Sequence, residues 1–375
     1  MSGIYIHVPY CKSKCDYCDF YSNVNTEGLS NFANFIEKEL SLRKDYLPKG
    51  QIKTIYFGGG TPSILTIDQI NTILNAIKKK ISLSTDLEIT FEANPDDLNY
   101  EYLKSLLTIG INRLSIGIQS FSDADLKKLG RRHNANQALN AVSWAAEAGL
   151  GNISIDLIYG LPYSSTAIWE QNLKQAFALP VKHLSCYHLI YEDGTSLQAK
   201  VTNGLVKPID EELSVEQFKL LQQLADQNGF VHYEISNLAK EGFFSKHNTS
   251  YWQQVPYLGL GPSAHSYNGT TRVWNPKSTK FWMDAIKMEM IDVEAEILTE
   301  RDKLNEYLLT SLRTIWGIDI DYVNEQFGST SAQRIIGLSQ KFLDSGIIER
   351  KGSRLAIKTS HFLISDAIIE DFMDV

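Results

Sequence analysis

The sequence has little cysteine, with four thiols in 375 residues. So few cysteines, without a secretory signal pattern, argue against a disulfide-rich secreted protein and predict a cytoplasmic one. No apolar run reaches the length of a membrane-spanning helix, so we expect no membrane span. The formal net charge is −8, which disfavours nucleic-acid binding because such surfaces are basic. With 43% hydrophobic residues, the composition is that of a globular chain with enough apolar material for a core.

Three of the four cysteines lie within eight residues, in the segment CKSKCDYC. Cys11, Cys15 and Cys18 have the spacing Cys-x3-Cys-x2-Cys. Three thiolates can hold three corners of a cubane iron–sulfur cluster and leave the fourth iron open to a small molecule. A zinc site usually needs a second pair of ligands, and Cys186 is better explained as a small buried residue in a strand. Tyr17, between the cysteines, can cover the cluster or stack on an aromatic ligand.

Short β-branched segments alternate with helical patterns through the first half of the chain. Six strands are predicted at GIYIHV (3–8), KTIYF (53–57), LEITFE (87–92), RLSIGI (113–118), NISIDLI (152–158) and HLSCYHL (183–189). The segments between them carry apolar residues at three- and four-residue steps, which is typical of helices. Repeated strand–helix units predict a parallel sheet, either a partial barrel or an open doubly wound sheet. In both, ligands bind at the C-terminal ends of the strands.

The pattern changes after about residue 200. A helix is predicted over 211–228, a glycine- and aromatic-rich stretch with little periodicity over 230–274, and helices near 279–290 and 300–315. The tail over 318–375 predicts two helices, a hairpin around Lys351 and Gly352, and a final helix, as in a winged-helix module. Because the chain is acidic, we interpret this tail as a small packing domain. The predicted division is therefore 1–200, 201–300 and 301–375.

Polar residues lie at the ends of the predicted strands, where a ligand pocket is expected. The second strand runs into a glycine turn, which lets backbone amides approach a ligand closely. Each polar side chain taken singly is equally explained by a structural ion pair. Together they predict a pocket formed by Gly58–Thr61, Glu92, Gln119, Arg131, Arg132 and Asp156.

The segment HNTSYW (247–252) places a histidine beside two large aromatic residues. Histidine is a common axial ligand of haem iron. On the residues alone, a buried and hydrogen-bonded His247 is the simpler interpretation. The same holds for His265 in GLGPSAHSY.

Together these motifs resemble the radical S-adenosylmethionine superfamily: CKSKCDYC follows IYIHVPY, and FGGGTPS resembles the superfamily's glycine motif. The resemblance implies a partial (β/α)6 barrel in which Cys11, Cys15 and Cys18 bind a [4Fe–4S] cluster. It also implies that S-adenosylmethionine chelates the fourth iron. Matching motif positions assign Tyr5, Gly59 and Glu92 to this molecule. They assign a second S-adenosylmethionine to Gly60, Thr61, Gln119, Arg131 and Asp156.

Within the superfamily, the chain resembles the anaerobic coproporphyrinogen III oxidase-like family over almost its whole length. The motifs are IYIHVPYC, YFGGGTPS, SIGIQSF, GRRHN, IDLIYGLP and GLGPSAHSY. This family contains dehydrogenases of porphyrin biosynthesis and haem chaperones. The dehydrogenases carry a further cysteine at the position of Phe20 and a longer N-terminal extension. HNTSYW fits the HNxxYW motif of the chaperones, which assigns haem to His247, Asn248, Tyr251 and Trp252.

The resemblance therefore implies a haem chaperone that transfers haem to acceptor proteins such as respiratory haemoproteins, with a homodimer as a possible state. The alternative is an oxygen-independent coproporphyrinogen III dehydrogenase, which converts two propionates to vinyl groups. A third reading, a winged-helix regulator that senses redox state, is disfavoured by the acidic charge.

Overall fold

The first half of the chain forms six consecutive parallel strands in the computed structural model, which describes residues 2–291 and 293–374. The strands are β1 Ser2–Val8, β2 Ile52–Gly59, β3 Leu83–Ala93, β4 Arg113–Gln119, β5 Ile153–Tyr159 and β6 His183–His188. All six predicted strands are confirmed. The largest difference is at β3, which begins four residues before the predicted start.

Helices connect these strands. They are α1 Phe32–Arg43, α2 Ile67–Lys80, α3 Tyr100–Ile109, α4 Asp123–Lys128, α5 Ala135–Glu147 and α6 Thr166–Ala178. In α2, Thr66 and Gln69 form a capping box, which satisfies the free amides of the first turn. The apolar residues of α2 recur at helical spacing and are buried, so this helix covers the sheet through one face. Gly149 follows α5 with φ of 97°, a conformation that glycine adopts without strain.

The strand order distinguishes between the two predicted sheet types. The six strands lie side by side in the order 1-2-3-4-5-6, so each crossover moves in the same direction. A doubly wound sheet instead reverses direction at a switch point. At the two ends, β1 pairs in parallel with the strand Tyr257–Leu260, and β6 pairs antiparallel with the strand Asn237–Ala239. The partial barrel is therefore confirmed, and further strands extend it on both sides.

The second half of the chain supplies these extensions. The strands are β7 Val231–His232, β8 Asn237–Ala239, β9 Tyr257–Leu260, β10 His265–Tyr267, β11 Thr271–Trp274 and β12 Glu294–Ile297. The helices are α7 Ser196–Thr202, α8 Glu211–Gln227, α9 Lys246–Trp252, α10 Thr279–Lys287 and α11 Glu300–Leu312. Sequence periodicity did not reveal the strands between residues 230 and 274. They have two to four residues each, which is too short for a period of two to be recognised.

The C-terminal region follows the predicted order of helices and hairpin. It consists of β13 Ile318–Asp319, α12 Ile320–Asp344, β14 Ile348–Lys351, β15 Arg354–Ile357 and α13 Ser365–Glu370. Gly328, with φ of 85° and ψ of 163°, divides α12 into two helical segments. No helix among the described residues is long and apolar enough to cross a membrane.

A buried ion pair on α1 connects the barrel to the segment that follows β9. The carboxylate of Glu39 lies 3.2 Å from Nη1 of Arg43, and both residues are at most 5% exposed. Glu39 also accepts hydrogen bonds from the backbone amide of Gly261 at 2.8 Å, Asn275 at 2.7 Å and the Trp282 indole at 3.0 Å. One carboxylate thus joins α1, the β9–β10 loop, the residue after β11, and α10.

We predict that Glu39→Ala destabilises the protein strongly, because it leaves the Arg43 guanidinium buried without its carboxylate. The expected loss is about 3–5 kcal/mol. The matched control is Glu37→Ala on the same helix. Its side chain is 42% exposed and lies 3.7 Å from Lys80, so its loss should cost less than about 1 kcal/mol. Denaturant unfolding of the three proteins measures the difference, and equal midpoints for the two variants would contradict the prediction.

Candidate functional site

A cavity of about 420 Å³ opens at the C-terminal ends of the barrel strands, and we call it the strand-end cavity. Every parallel strand from β2 to β6 contributes a residue from its end or from the loop after it. The cysteine loop after β1 forms another part of the wall. Of the predicted site residues, those lining the cavity are Cys11, Cys15, Tyr17, Cys18, Gly59, Gly60, Thr61, Glu92, Gln119, Arg131, Arg132 and Asp156.

The three cysteines of the loop line this one cavity and are flanked by hydrogen-bond donors. The Thr61 hydroxyl donates to Cys11 Sγ at 3.2 Å, and Nη1 of Arg131 donates to Cys15 Sγ at 3.5 Å. Thiolate sulfur is the protein ligand of iron–sulfur clusters. Three cysteines on the wall of one cavity are therefore a donor set that fits a cluster.

Glycine is required at the turn after β2 because of close contacts. Gly59 has φ of 103°. A Cβ on Gly60 would lie 2.8 Å from the carbonyl oxygens of Val8 and Tyr10 and 3.1 Å from Cys11 Sγ. Any side chain at residue 60 would therefore push against the cysteine loop. The glycine run predicted as a ligand-binding turn thus forms part of the cavity wall beside the first thiol.

Glu92 lies inside the cavity at the end of β3. The Tyr56 hydroxyl donates to its Oε1 at 2.6 Å. Burial raises the pKa of Glu92 to about 7, although this hydrogen bond opposes the shift. A carboxylate enclosed in this way can accept a hydrogen bond from a cationic or amino group of a ligand.

Arg131 and Asp156 place opposite charges on the cavity wall. The guanidinium Nη2 of Arg131 donates to Asn94 Oδ1 and to the Gly117 carbonyl oxygen, both at 2.6 Å. Its Nε is buried and has no hydrogen-bond partner among the described residues, so a donor remains for a ligand. Asp156 accepts from the Ser115 hydroxyl at 3.2 Å, and burial raises its pKa to about 6.

Arg132, which the sequence predicted in the ligand pocket, binds protein carboxylates. It lies 2.9 Å from Asp96 and 3.3 Å from Asp97. Its side chain borders the cavity, but its charge is used in structural ion pairs.

Three residues that hold the site's charged side chains were not identified from the sequence. Tyr56 donates to Glu92, Asn94 accepts from Arg131, and Ser115 donates to Asp156. Asn94 directly follows β3 in the segment EANP, so its position after a strand was the available signal, whereas Ser115 lies within β4. Tyr56 lies mid-strand in an apolar segment, and nothing in its surroundings marked it.

The predicted haem segment forms the short helix α9, and His247 is buried in it at 1% exposure. Both ring nitrogens are hydrogen bonded. Nδ1 lies 2.8 Å from the Thr54 hydroxyl, and Nε2 lies 2.8 Å from the Tyr251 hydroxyl. Burial lowers the pKa of His247 to about 3, so its imidazole is neutral. A neutral imidazole can coordinate iron, but here the Tyr251 hydroxyl must first leave Nε2.

A second cavity of about 290 Å³, the histidine cavity, adjoins the first. His247, Asn248 and Tyr251 line it together with Tyr5 and Tyr56, and it shares Phe20, Gly59, Glu92 and Tyr187 with the strand-end cavity. Tyr5, predicted to contact S-adenosylmethionine, thus lies in this cavity. Trp252 is not among the described residues that line it. The predicted S-adenosylmethionine site and the predicted haem site are therefore adjacent, and the residues that line both cavities form the boundary between them.

The chain resembles known proteins over part or all of its length. A model of the radical SAM superfamily matches residues 5–174. The heme chaperone HemW of Bacillus subtilis is 31% identical, with 100% of this chain and 99% of that protein aligned. HemW of Lactococcus lactis is 30% identical, with 99% and 97% aligned. The solved coproporphyrinogen III oxidase HemN of Escherichia coli, described as a radical SAM enzyme, has a TM-score of 0.85 over 99% of this chain and 89% of that one. At 20% identity, that last likeness concerns the fold.

We predict that replacing Cys11, Cys15 or Cys18 by alanine abolishes iron binding, because each change removes one of three thiolate ligands. Protein purified without oxygen should contain about four irons per chain, and iron analysis with the visible spectrum measures this. Cys186→Ala is the matched control, since Cys186 is buried in the hydrophobic core at 2% exposure. Loss of iron in the Cys186 variant would overturn the three-ligand assignment.

We predict that Glu92 makes the ligand-free protein less stable as pH rises. The folded carboxyl has a pKa of about 7 against an ordinary value of 4.5, so between these values the folded state holds more protons than the unfolded state. Stability must then fall as pH rises through this range. Glu92→Gln removes this dependence and should be more stable than the wild type at pH 8 by about 1–3 kcal/mol.

Denaturant unfolding at pH 5 and pH 8 tests this expectation. Glu101→Gln, at an exposed position on α3, is the control and should follow the wild-type pH profile. A Glu92→Gln protein whose stability parallels the wild type at both pH values would contradict it.

Proposed function

The chain belongs to the radical SAM superfamily, in the family of the HemW proteins, and from this we propose that it is a haem chaperone. In this proposal it binds haem beside its cluster site and transfers it to haem-accepting proteins. Membership of the superfamily implies a [4Fe–4S] cluster and S-adenosylmethionine. The observation that carries the proposal is the resemblance to proteins named heme chaperones from one end of the chain to the other.

The strand-end cavity supports the binding of S-adenosylmethionine. When bound at Cys11, Cys15 and Cys18, the cluster offers an iron without a protein ligand to the amino and carboxylate groups of this molecule. Glu92 can accept a hydrogen bond from the amino group. Asp156, which also lines the cavity, can accept hydrogen bonds from hydroxyl groups of the ribose.

The aromatic side chains around α9 support the binding of haem. Tyr5, Tyr56 and Tyr251 line the histidine cavity, and aromatic rings bury a large apolar area against a planar ligand. Phe20, which is 62% exposed, lies where the strand-end and histidine cavities meet. In this proposal the Phe20 ring packs against the apolar face of the haem.

In this proposal the cluster site assists the transfer of haem to an acceptor protein. In the alternative, the same site would catalyse the conversion of coproporphyrinogen propionates to vinyl groups. His247 and Tyr251 line one cavity, and the cysteines line another. Haem binding and cluster binding therefore use different side chains and can be measured separately.

We predict that the anaerobically prepared protein binds haem and does not convert coproporphyrinogen III in the presence of S-adenosylmethionine and a reductant. Tyr251→Ala should weaken haem binding roughly tenfold or more, because an aromatic wall is lost. His247→Ala should shift the Soret band of the bound haem, because an imidazole beside the ligand is removed. Haem titration and product analysis provide the measurements.

The control for this experiment is Tyr100→Ala, at an exposed tyrosine on α3, which should bind haem like the wild type. Formation of protoporphyrinogen IX at catalytic turnover would reject the chaperone proposal in favour of the dehydrogenase. Absence of stoichiometric haem binding by the wild type would reject it as well.

A further inference from the structure

A third cavity, of about 520 Å³, lies between the cysteine loop and the β9–β10 loop, and we call it the lateral cavity. It shares Tyr5, Phe20 and Tyr251 with the histidine cavity. The lateral cavity thus begins at the HNTSYW segment of α9 and extends over residues that do not belong to this motif. Its other lining residues are His7, Lys14, Asp19, Tyr21, Ser22, Tyr257, Ser263, His265 and Lys277.

The two histidines of the lateral cavity differ in their hydrogen bonds. His7 uses both ring nitrogens, with Nδ1 3.1 Å from the Tyr5 hydroxyl and Nε2 2.9 Å from the Tyr21 carbonyl oxygen. His265 is exposed, and neither of its ring nitrogens has a hydrogen-bond partner in residues 2–291 or 293–374. An imidazole without a competing partner can coordinate a metal without rearrangement of its neighbours. In this respect His265 differs from both His7 and His247.

The position of His265 is fixed by its backbone and by its ring. A Cβ on Gly259 would clash with the His265 carbonyl group, and a Cβ on Gly261 would lie 2.5 Å from the His7 carbonyl oxygen. These contacts explain the two glycines of GLGPSAHSY, because only glycine lets the three backbone segments approach so closely. The His265 ring stacks on Trp274 with centroids 5.7 Å apart and an interplanar angle of 24°.

The buried Glu39–Arg43 ion pair also makes hydrogen bonds to residues near His265. Nη2 of Arg43 donates to the hydroxyl of Ser266 at 2.8 Å, and Glu39 accepts from the Gly261 amide. The imidazole of His265 therefore projects from a rigid segment. A ligand held within a rigid frame binds with less loss of conformational freedom.

The charge of the lateral cavity suits a dianionic ligand. Lys14 and Lys277 are exposed and form no ion pair with any described residue. Asp19 is the one carboxylate on the wall. Tyr251 and Tyr257 pack edge to face, with centroids 4.7 Å apart, and give the cavity an apolar side. An aromatic wall, two free ammonium groups and one free imidazole match the apolar ring, the two propionates and the iron of haem.

We propose that His265 supplies an axial nitrogen to the iron of haem bound in the lateral cavity, and that Lys14 and Lys277 bind its propionates. This inference rests on the proposed function and adds the coordinating residue and the orientation of the haem. The propionates point toward the open rim, where the ammonium groups are exposed, and the porphyrin ring lies against the tyrosines. Burial, together with Arg272 and Lys277, lowers the pKa of His265, which keeps the imidazole in its neutral form near pH 7.

The first test is the spectrum of haem bound to the full-length, cluster-loaded protein and its His265→Ala variant. Difference spectra and electron paramagnetic resonance separate the haem signal from that of the cluster. The variant should show a shifted Soret band and a changed spin state, because one axial nitrogen is lost. Imidazole added to His265→Gly should restore the wild-type spectrum. His361→Ala is the matched control, since His361 lies in the C-terminal region and contacts Ser360.

The second test concerns the propionates and uses two ligands. Lys277→Gln should weaken haem binding by roughly three- to tenfold, because a charge-assisted contact is lost at a partly exposed site. The same substitution should leave the affinity for haem dimethyl ester unchanged, since the ester has no carboxylate. Unaltered iron content and circular dichroism show that each variant is folded, and His265→Gln replaces the alanine variant if that variant does not fold.

Three outcomes separate this inference from the proposed function. A wild-type spectrum in His265→Ala, with haem bound, overturns the assignment of His265 and leaves the chaperone proposal intact. Equal losses of haem and ester affinity in Lys277→Gln overturn the propionate contact. A wild-type protein that binds no haem overturns both the chaperone proposal and this inference.

Discussion

The structure depends on a geometric constraint of parallel strands, whose carboxyl ends all meet at one edge of the sheet. The pairing places Val8 beside Gly59 and Gln119 beside Leu157. Residues separated by more than a hundred positions are thereby brought to one cavity. The cysteine loop, the glycine turn and the acidic residues have a common surface because each follows or ends a strand of the same barrel.

Enclosing these polar groups has an electrostatic cost, and the protein reduces it with local partners. Tyr56 donates to Glu92 and Ser115 donates to Asp156, yet burial still raises the pKa of both carboxyls. His247 is neutral for the corresponding reason. A cationic or metal ligand would supply the charge that these carboxylates lack. The site is thus arranged for a ligand before one is bound.

The Glu39–Arg43 ion pair connects helix α1 of the barrel to the residues that form one side of the lateral cavity. Its hydrogen bonds reach Gly261, Ser266 and Asn275, and these residues flank His265. A buried pair of this kind adds little stability compared with a well-packed apolar alternative. Its contribution here is to fix the loop between β9 and β10, which forms one side of the lateral cavity.

The sequence by itself determined the six barrel strands, the cysteine triplet and the polar residues at strand ends that line part of the strand-end cavity. These features are local, since hydrophobic period and position after a strand can be recognised within one short segment. Only the tertiary structure decided that Arg132 binds Asp96 and Asp97, and that His247 is enclosed by Thr54 and Tyr251. Among residues 2–291 and 293–374, it also left the His265 ring without a hydrogen-bond partner, in a cavity that Lys14 and Lys277 line as well. Such partners lie far apart in the chain, and their contacts follow from strand order and packing, which no local pattern encodes.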